Sequence, residues 1–320
     1  MDYRPLGRSA LRVSPICLGT MNFGPRTPEA AAHDILDAAV EAGVNFIDTA
    51  NQYGGALGVG TTESILGRWL AAHPARRDRV VLATKVHEPM SEDVNDRGLS
   101  ARHIRAACEA SLARLGVDHI DLYQMHHVDR AAPVEEIWEA MDRLHAEGKV
   151  TYFGTSNFPG WVIAQHSERA RARGRLGLVS EQSHYNLLER RAELEVLPAC
   201  RAYGLGLIPW SPLAGGALAG PGSENGRRAD AAVRALRETH AVALAGYEAL
   251  AMELGASPSV LALAWLLHQD GVSSAIVGPA DRQQFETALE AVALHLDGTT
   301  LDRLDALFPP CGTAPEAYAW

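Results

Sequence analysis

The sequence predicts a closed (β/α)8 TIM barrel behind an N-terminal β-hairpin, and three observations predict it. Short apolar runs rich in β-formers alternate with segments whose apolar residues recur at helical spacing, giving eight βα units. No linker, internal repeat or composition break divides the 320 residues, so residues 1–320 are expected to form one domain. Polar and ionisable residues recur just after the strand runs, where such a barrel gathers its site. An open doubly wound sheet is the second architecture that fits the alternation.

The elements follow in order. Residues Tyr3 to Val13 read as a small hairpin turning at Gly7 to Ser9, and the first strand is Ile16 to Leu18, ending in GTMNFG. Helical spacing fills Pro28 to Ala42, Glu63 to Ala72, Ala101 to Leu115, Val134 to Glu147, Trp161 to Arg173, Ala192 to Tyr203, Ser257 to His268 and Arg282 to Ala293, with one extra helix near Val233 to Leu254. Between them lie the β-type runs Val44 to Ile47, Val80 to Ala83, Ile120 to Gln124, Val150 to Phe153, Leu178 to Glu181, Gly206 to Pro209 and Ser274 to Val277. The residues after these runs are the candidates: Thr20, Met21 and Asn22, Asp48 with Tyr53, Lys85, His126, Ser156 with Asn157, Gln182 with Tyr185, Trp210 to Leu213, and Gly278.

Composition narrows the function. The 47% apolar content supports a large core, and the net charge of −10 disfavours nucleic acid or an anionic membrane as partner. The start of the chain has no apolar leader, and the longest apolar run, Val260 to Leu267, is too short to span a bilayer, so a cytoplasmic location is expected. Cys17, Cys108, Cys200 and Cys311 have no metal-ligand spacing, which argues for a reducing compartment and no metal. His126 and His127 are adjacent, and strand neighbours point to opposite faces, so they are expected to be poor joint ligands.

The chemistry concentrates in GVNFIDTANQYGG. Asp48 ends a buried strand, where a carboxylate is costly unless a cation or several donors meet it. Lys85, ending the run VVLAT, carries the opposite need. A charged Lys85 beside Tyr53 favours the tyrosinate and lowers that phenol from about 10 toward neutrality, which suits a general acid or base. His126, closing DLYQMHH, lies across the same mouth and is placed to hydrogen-bond a carbonyl oxygen. Each residue alone fits a satisfied structural polar group; four at consecutive strand ends fit a site.

The sequence resembles the aldo-keto reductase superfamily along nearly the whole chain, through GVNFIDTANQYG, LATKV, DLYQMHH, GTSNF, EQSHYNLL, PWSPLAGG and IVG. The family's catalytic four fall on Asp48, Tyr53, Lys85 and His126. The resemblance implies a small-molecule carbonyl substrate and a nicotinamide cofactor, NADPH with NADH as the alternative, held by barrel loops without a Rossmann domain. No GxGxxG opens a helix after a strand, and the glycines of GGALGVG read as loop flexibility. By analogy, Thr20, Met21 and Asp48 line the cofactor cleft, and Ser156, Asn157 and Gln182 hold the carboxamide. Trp210 stacks on the nicotinamide ring, while Ser211, Pro212, Leu213 and Gly215 meet the pyrophosphate.

The adenosine end departs from the pattern. Gly278 and Gln284 fit it, but Ala280, Thr287 and Ala288 stand where many relatives carry hydroxyl or basic, Glu and Asn residues, with Asp281 nearby; Pro221 follows LAG where a basic residue is common. Arg282, at the start of the last barrel helix, is the residue expected to meet a 2′-phosphate, with Arg228 second. The substrate loops are expected near Glu88 to Leu99 and Gly220 to Ala229, with the tail Thr313 to Trp320. Two other readings stand beside a reductase. One is a regulatory binding subunit, because a branch of this superfamily serves membrane channels; the other is a barrel isomerase using Lys85 as a Schiff base.

Overall fold

The computed structural model describes residues 1–221 and 230–319; Arg228, most of the expected Gly220 to Ala229 loop, and Trp320 lie outside the described residues. The hairpin pairs β1 (Arg4–Pro5) with β2 (Arg12–Val13). Eight parallel strands follow: β3 (Ile16–Gly19), β4 (Phe46–Asp48), β5 (Val81–Val86), β6 (Ile120–Met125), β7 (Val150–Ser156), β8 (Leu178–Gln182), β9 (Gly206–Leu207) and β10 (Ala275–Val277). Their order is β10-β3-β4-β5-β6-β7-β8-β9, each neighbour pair parallel. The open side is closed by backbone bonds, from the Leu207 amide to the Gly271 carbonyl at 2.8 Å, from Ser273 to Leu207 at 2.9 Å and from Ile276 to Pro209 at 2.9 Å. The expected barrel is therefore present.

Alternation along the strands sorts the side chains. Cys17, Phe46, Val81, Ala83, Leu122, Ile208 and Ile276 fill the barrel interior, while Ile16, Leu18, Ile47, Leu82 and Val86 pack outward under the helices. Leu6 and Val13 of the hairpin join the interior cluster and so plug one end. Gly7 is required there: its φ is +54°, and a Cβ would lie 2.3 Å from the Val179 carbonyl.

The barrel helices are α1 (Glu29–Glu41), α2 (Thr61–Ala72), α3 (Ala101–Leu115), α4 (Val134–Ala146), α5 (Gly160–Ala172), α6 (Val196–Tyr203), α9 (Pro258–His268) and α10 (Arg282–Leu289). Three expectations need correction. The extra helix is two, α7 (Ala231–Thr239) and α8 (Ala241–Glu253), separated by His240 at ψ 22°, where the Thr239 hydroxyl bonds back to the Ala235 carbonyl. The segment Ala192 to Tyr203 is broken at Glu195, whose φ of −135° parts a single turn at Arg191–Glu193 from α6. A further helix, α11 (Gly298–Leu307), was not expected, although Asp297 caps it by accepting the Thr300 amide at 2.8 Å. A short α12 (Glu316–Ala319) ends the described chain.

Candidate active site

The period of two that fills the interior also builds the site. Asp48, Lys85 and Gln124 each lie one interior position beyond Phe46, Ala83 and Leu122, at the open end of three adjacent strands. Register sets Lys85 opposite Gln124 and Ser156 opposite Gln182. Hydrophobic packing lower in the barrel thus aims polar groups into one mouth.

Lys85 is fully buried. Its Nζ donates to Asp48 Oδ2 at 2.5 Å, to the Thr49 carbonyl at 2.9 Å and to the Tyr53 hydroxyl at 3.4 Å. Burial opposes its charge, and the Asp48 carboxylate with the Tyr53 oxygen more than offsets this, so its pKa is shifted upward. The second Asp48 oxygen accepts from Gln124 Nε2 and Gln182 Nε2, each at 2.9 Å. One ammonium and two amides therefore satisfy a carboxylate that is 2% exposed.

His126 stands edge-on to Tyr53, with ring centroids 6.0 Å apart. Burial, then the Lys85 charge, then His127 and His87, depress its pKa to about 2, so the imidazole is neutral and keeps one donor. A neutral donor suits a carbonyl oxygen.

Beside this floor lie loops with strained backbones. The non-glycine residues with positive φ among those described are Asn157 (61°), Ser211 (54°) and Ala214 (49°), all on loops where the family resemblance places a cofactor. Asn157 Nδ2 donates to the His126 carbonyl at 3.1 Å and to Ser156 Oγ at 3.0 Å, while its Oδ1 accepts from Trp210 Nε1 at 3.0 Å. One face of Trp210 stacks on His184 at 4.3 Å. The Ser211 hydroxyl accepts the Gly215 amide at 3.2 Å, and the Ala214 and Gly216 amides donate to the Ser211 and Leu213 carbonyls at 2.9 and 2.8 Å, fixing a turn through Pro212 and Leu213. Thr20 donates to the Asp48 carbonyl at 3.0 Å, and Met21 is exposed at the rim. Buried without a hydrogen-bond partner are the Thr49 hydroxyl and both side-chain polar atoms of Asn51, close to the same mouth. Strain, a stacking ring and orphaned polar groups fit a bound aromatic amide cofactor.

The far end is arranged differently. The Gly278 carbonyl is held by Asn22 Nδ2 at 2.8 Å. Asp281 caps α10, accepting from the Gln284 amide at 2.8 Å and from Gln284 Nε2 at 3.0 Å, while Gln284 Oε1 accepts the Ala280 amide at 3.0 Å. The Arg282 guanidinium is engaged by Asp34 at 3.1 Å and Glu286 at 2.8 Å. A 2′-phosphate has to compete with those carboxylates for it.

Three outcomes lie outside the sequence reading. Gln124 holds Asp48, and its signal was its place two residues beyond Leu122 in DLYQMHH, on the interior face of the strand. Glu181 is buried and accepts from Thr155, Ser183 Oγ at 2.7 Å and the Phe158 amide at 3.1 Å, so it braces the turn carrying Asn157. The expectation that His126 and His127 diverge is wrong. Both follow Met125, the last residue of β6, where strand alternation no longer applies, and their rings stack at 4.9 Å with planes 10° apart. The GGALGVG glycines serve the backbone, since a Cβ on Gly54 would lie 1.8 Å from the Gly58 carbonyl.

Comparison with known proteins agrees with this geometry. The profile described as "Aldo/keto reductase family" matches residues 15–308. The chain is 49% identical to the "Uncharacterized oxidoreductase YrpG" of Bacillus subtilis (strain 168), over 100% of both chains. It is 35% identical to a "Probable voltage-gated potassium channel subunit beta" of Oryza sativa subsp. japonica, over 99% of this chain and 100% of the relative. It is 33% identical to "Norsolorinic acid reductase stcV" of Emericella nidulans, over 94% of this chain and 80% of the relative.

Proposed function

We propose that this chain, which belongs to the aldo/keto reductase family, reduces an aldehyde or ketone to an alcohol with a reduced nicotinamide cofactor. The observation that carries this is Lys85, a buried ammonium 2.5 Å from Asp48 and 3.4 Å from the Tyr53 hydroxyl. A fixed positive charge at that distance favours loss of the phenolic proton, and Asp48 keeps the lysine charged and in place. His126 donates to the carbonyl oxygen and orients it, and Tyr53 delivers the proton to that oxygen as negative charge develops.

Ser156, Asn157 and Gln182 would hold the carboxamide of the cofactor, Trp210 the face of its ring, and the turn Ser211 to Gly215 its pyrophosphate. Gly278, Arg282 and Gln284 would meet the adenosine end. When bound, the reduced nicotinamide supplies the hydride. We take NADPH as the cofactor, with NADH as the alternative, and read residues 1–320 as one domain. No single helix among the described residues is long and apolar enough to cross a membrane, and all four cysteines are free thiols, which supports a cytoplasmic location.

The test is oxidation of NADPH in the presence of a generic aromatic aldehyde. Tyr53→Phe should lower turnover by about 10²- to 10⁴-fold, the usual worth of general acid catalysis, while NADPH affinity stays within about twofold. A mutant keeping more than about a tenth of wild-type turnover, with hydride transfer rate-limiting, removes Tyr53 from the role of acid. The relatives named as channel subunits favour a second reading, a regulatory subunit with little turnover. Cofactor binding with no aldehyde reduction across several substrates would favour it.

A further inference from the structure

We propose that Glu88, His126 and His127 form a three-ligand site for a borderline divalent transition metal, Zn²⁺ above all, at the mouth of the barrel. One ligand atom from each lies within 4.8 Å of the other two. The His127 Nε2 is 3.1 Å from Glu88 Oε1, and the His126 and His127 rings are stacked at 4.9 Å. His126 is 8% exposed, and its Nδ1 is buried with no hydrogen-bond partner. The side chains of Glu88 and His127 are 27% and 44% exposed, so the group opens to solvent and leaves a position for water.

Two imidazoles and a carboxylate select zinc or copper over magnesium and calcium, which prefer all-oxygen sets. Zinc–ligand bonds of about 2.0–2.2 Å put tetrahedral ligand atoms about 3.4 Å apart; the His127–Glu88 pair at 3.1 Å is already within that reach, and His126 must approach the other two by up to about 1.4 Å. Parallel rings cannot aim both in-plane lone pairs at one ion. His127, the more exposed, must therefore turn about its ring bond. The carboxylate gives the ligand set a net negative charge, and the nearby Lys85 charge is already matched by Asp48. Turning the ring gives up the 3.4 Å contact of His127 Nδ1 with Asn157 Nδ2, and the His87 ring, edge-on to His127 at 5.4 Å, packs against the imidazole.

Occupation of this site engages His126 and, on the proposed reductase function, blocks carbonyl binding. The experiment uses the full chain, stripped with a chelator and titrated with Co²⁺, followed by visible ligand-field absorption, and with Zn²⁺ by calorimetry. The wild type should take up one ion per chain. His127→Ala and Glu88→Gln should each weaken binding by more than about a hundredfold, since loss of even an outer-shell partner commonly costs about 10- to 100-fold. Zn²⁺ should inhibit aldehyde reduction by the wild type and not by either variant. Unchanged binding in both variants overturns the site, as does binding that disappears only in Cys311→Ser. A wild type that binds Co²⁺ as expected yet reduces no aldehyde leaves the metal site standing and removes the reductase reading.

Discussion

The Asp48–Lys85 floor of the barrel mouth and the start of α10 hold their charges in opposite ways. At the floor, Asp48 is 2% exposed and met by Lys85, Gln124 and Gln182 from three other strands, so removing one partner leaves a buried charge uncompensated. At the far end, Arg282 is about half exposed and shared between two surface carboxylates, an arrangement worth little to the fold and readily exchanged. Over-determination by burial marks the region where geometry carries chemistry. Exposed pairing marks the region where affinity can be tuned without touching it.

Breaking the floor should have the largest effect. Lys85→Met removes the cation 3.4 Å from the Tyr53 hydroxyl and leaves Asp48 with amides alone. Turnover should fall by at least the roughly 10²-fold expected for losing the acid, and stability by about 3 to 5 kcal/mol, less whatever water recovers at the cleft. Turnover assays and urea denaturation check both; unchanged values in both would place Lys85 outside the site.

The wall next to the floor gives a smaller, pH-dependent effect. Burial raises the Glu181 carboxyl to about 7, against the donors Thr155, Ser183 and the amides of Phe158 and Asn157. Between its ordinary value of 4.5 and about 7 the folded chain keeps a proton that the unfolded chain has released. The stability from this group is therefore full below about pH 4.5 and lost as pH rises through about 7. Over some 2.5 pH units the loss amounts to about 3 kcal/mol at 1.36 kcal/mol each. Glu181→Gln mimics the protonated form, so its stability should lack this fall. Denaturation of both proteins at pH 5 and pH 8 tests it, and identical pH dependence would reject Glu181 as the titrating group.

The far end should respond least. An arginine–phosphate contact is commonly worth about 1.5 to 3 kcal/mol, but here Asp34 and Glu286 compete for Arg282. Arg282→Ala should weaken NADPH binding by less than about tenfold and leave NADH binding unchanged, as read by fluorescence titration. Equal weakening of both cofactors, or a wild-type preference for NADH, would move cofactor choice away from Arg282.

Much of this was legible in the sequence because it is local. The period of two in VVLATK and IDLYQMHH fixes which side chains face the barrel interior, and alternation with helical segments fixes the barrel, so Asp48, Lys85 and His126 were readable at strand ends and Tyr53 in the turn after Asp48. Even the cap of α11 was written in DGTT. Tertiary structure alone decided what lies between distant segments. Gln182 reaches Asp48 across 134 residues and Arg282 meets Asp34 across 248, separations at which no local pattern specifies a partner. His126 and His127 turned together because both lie beyond Met125, the end of their strand, and a strand's end is set by the hydrogen bonds of its neighbours as well as by its own residues.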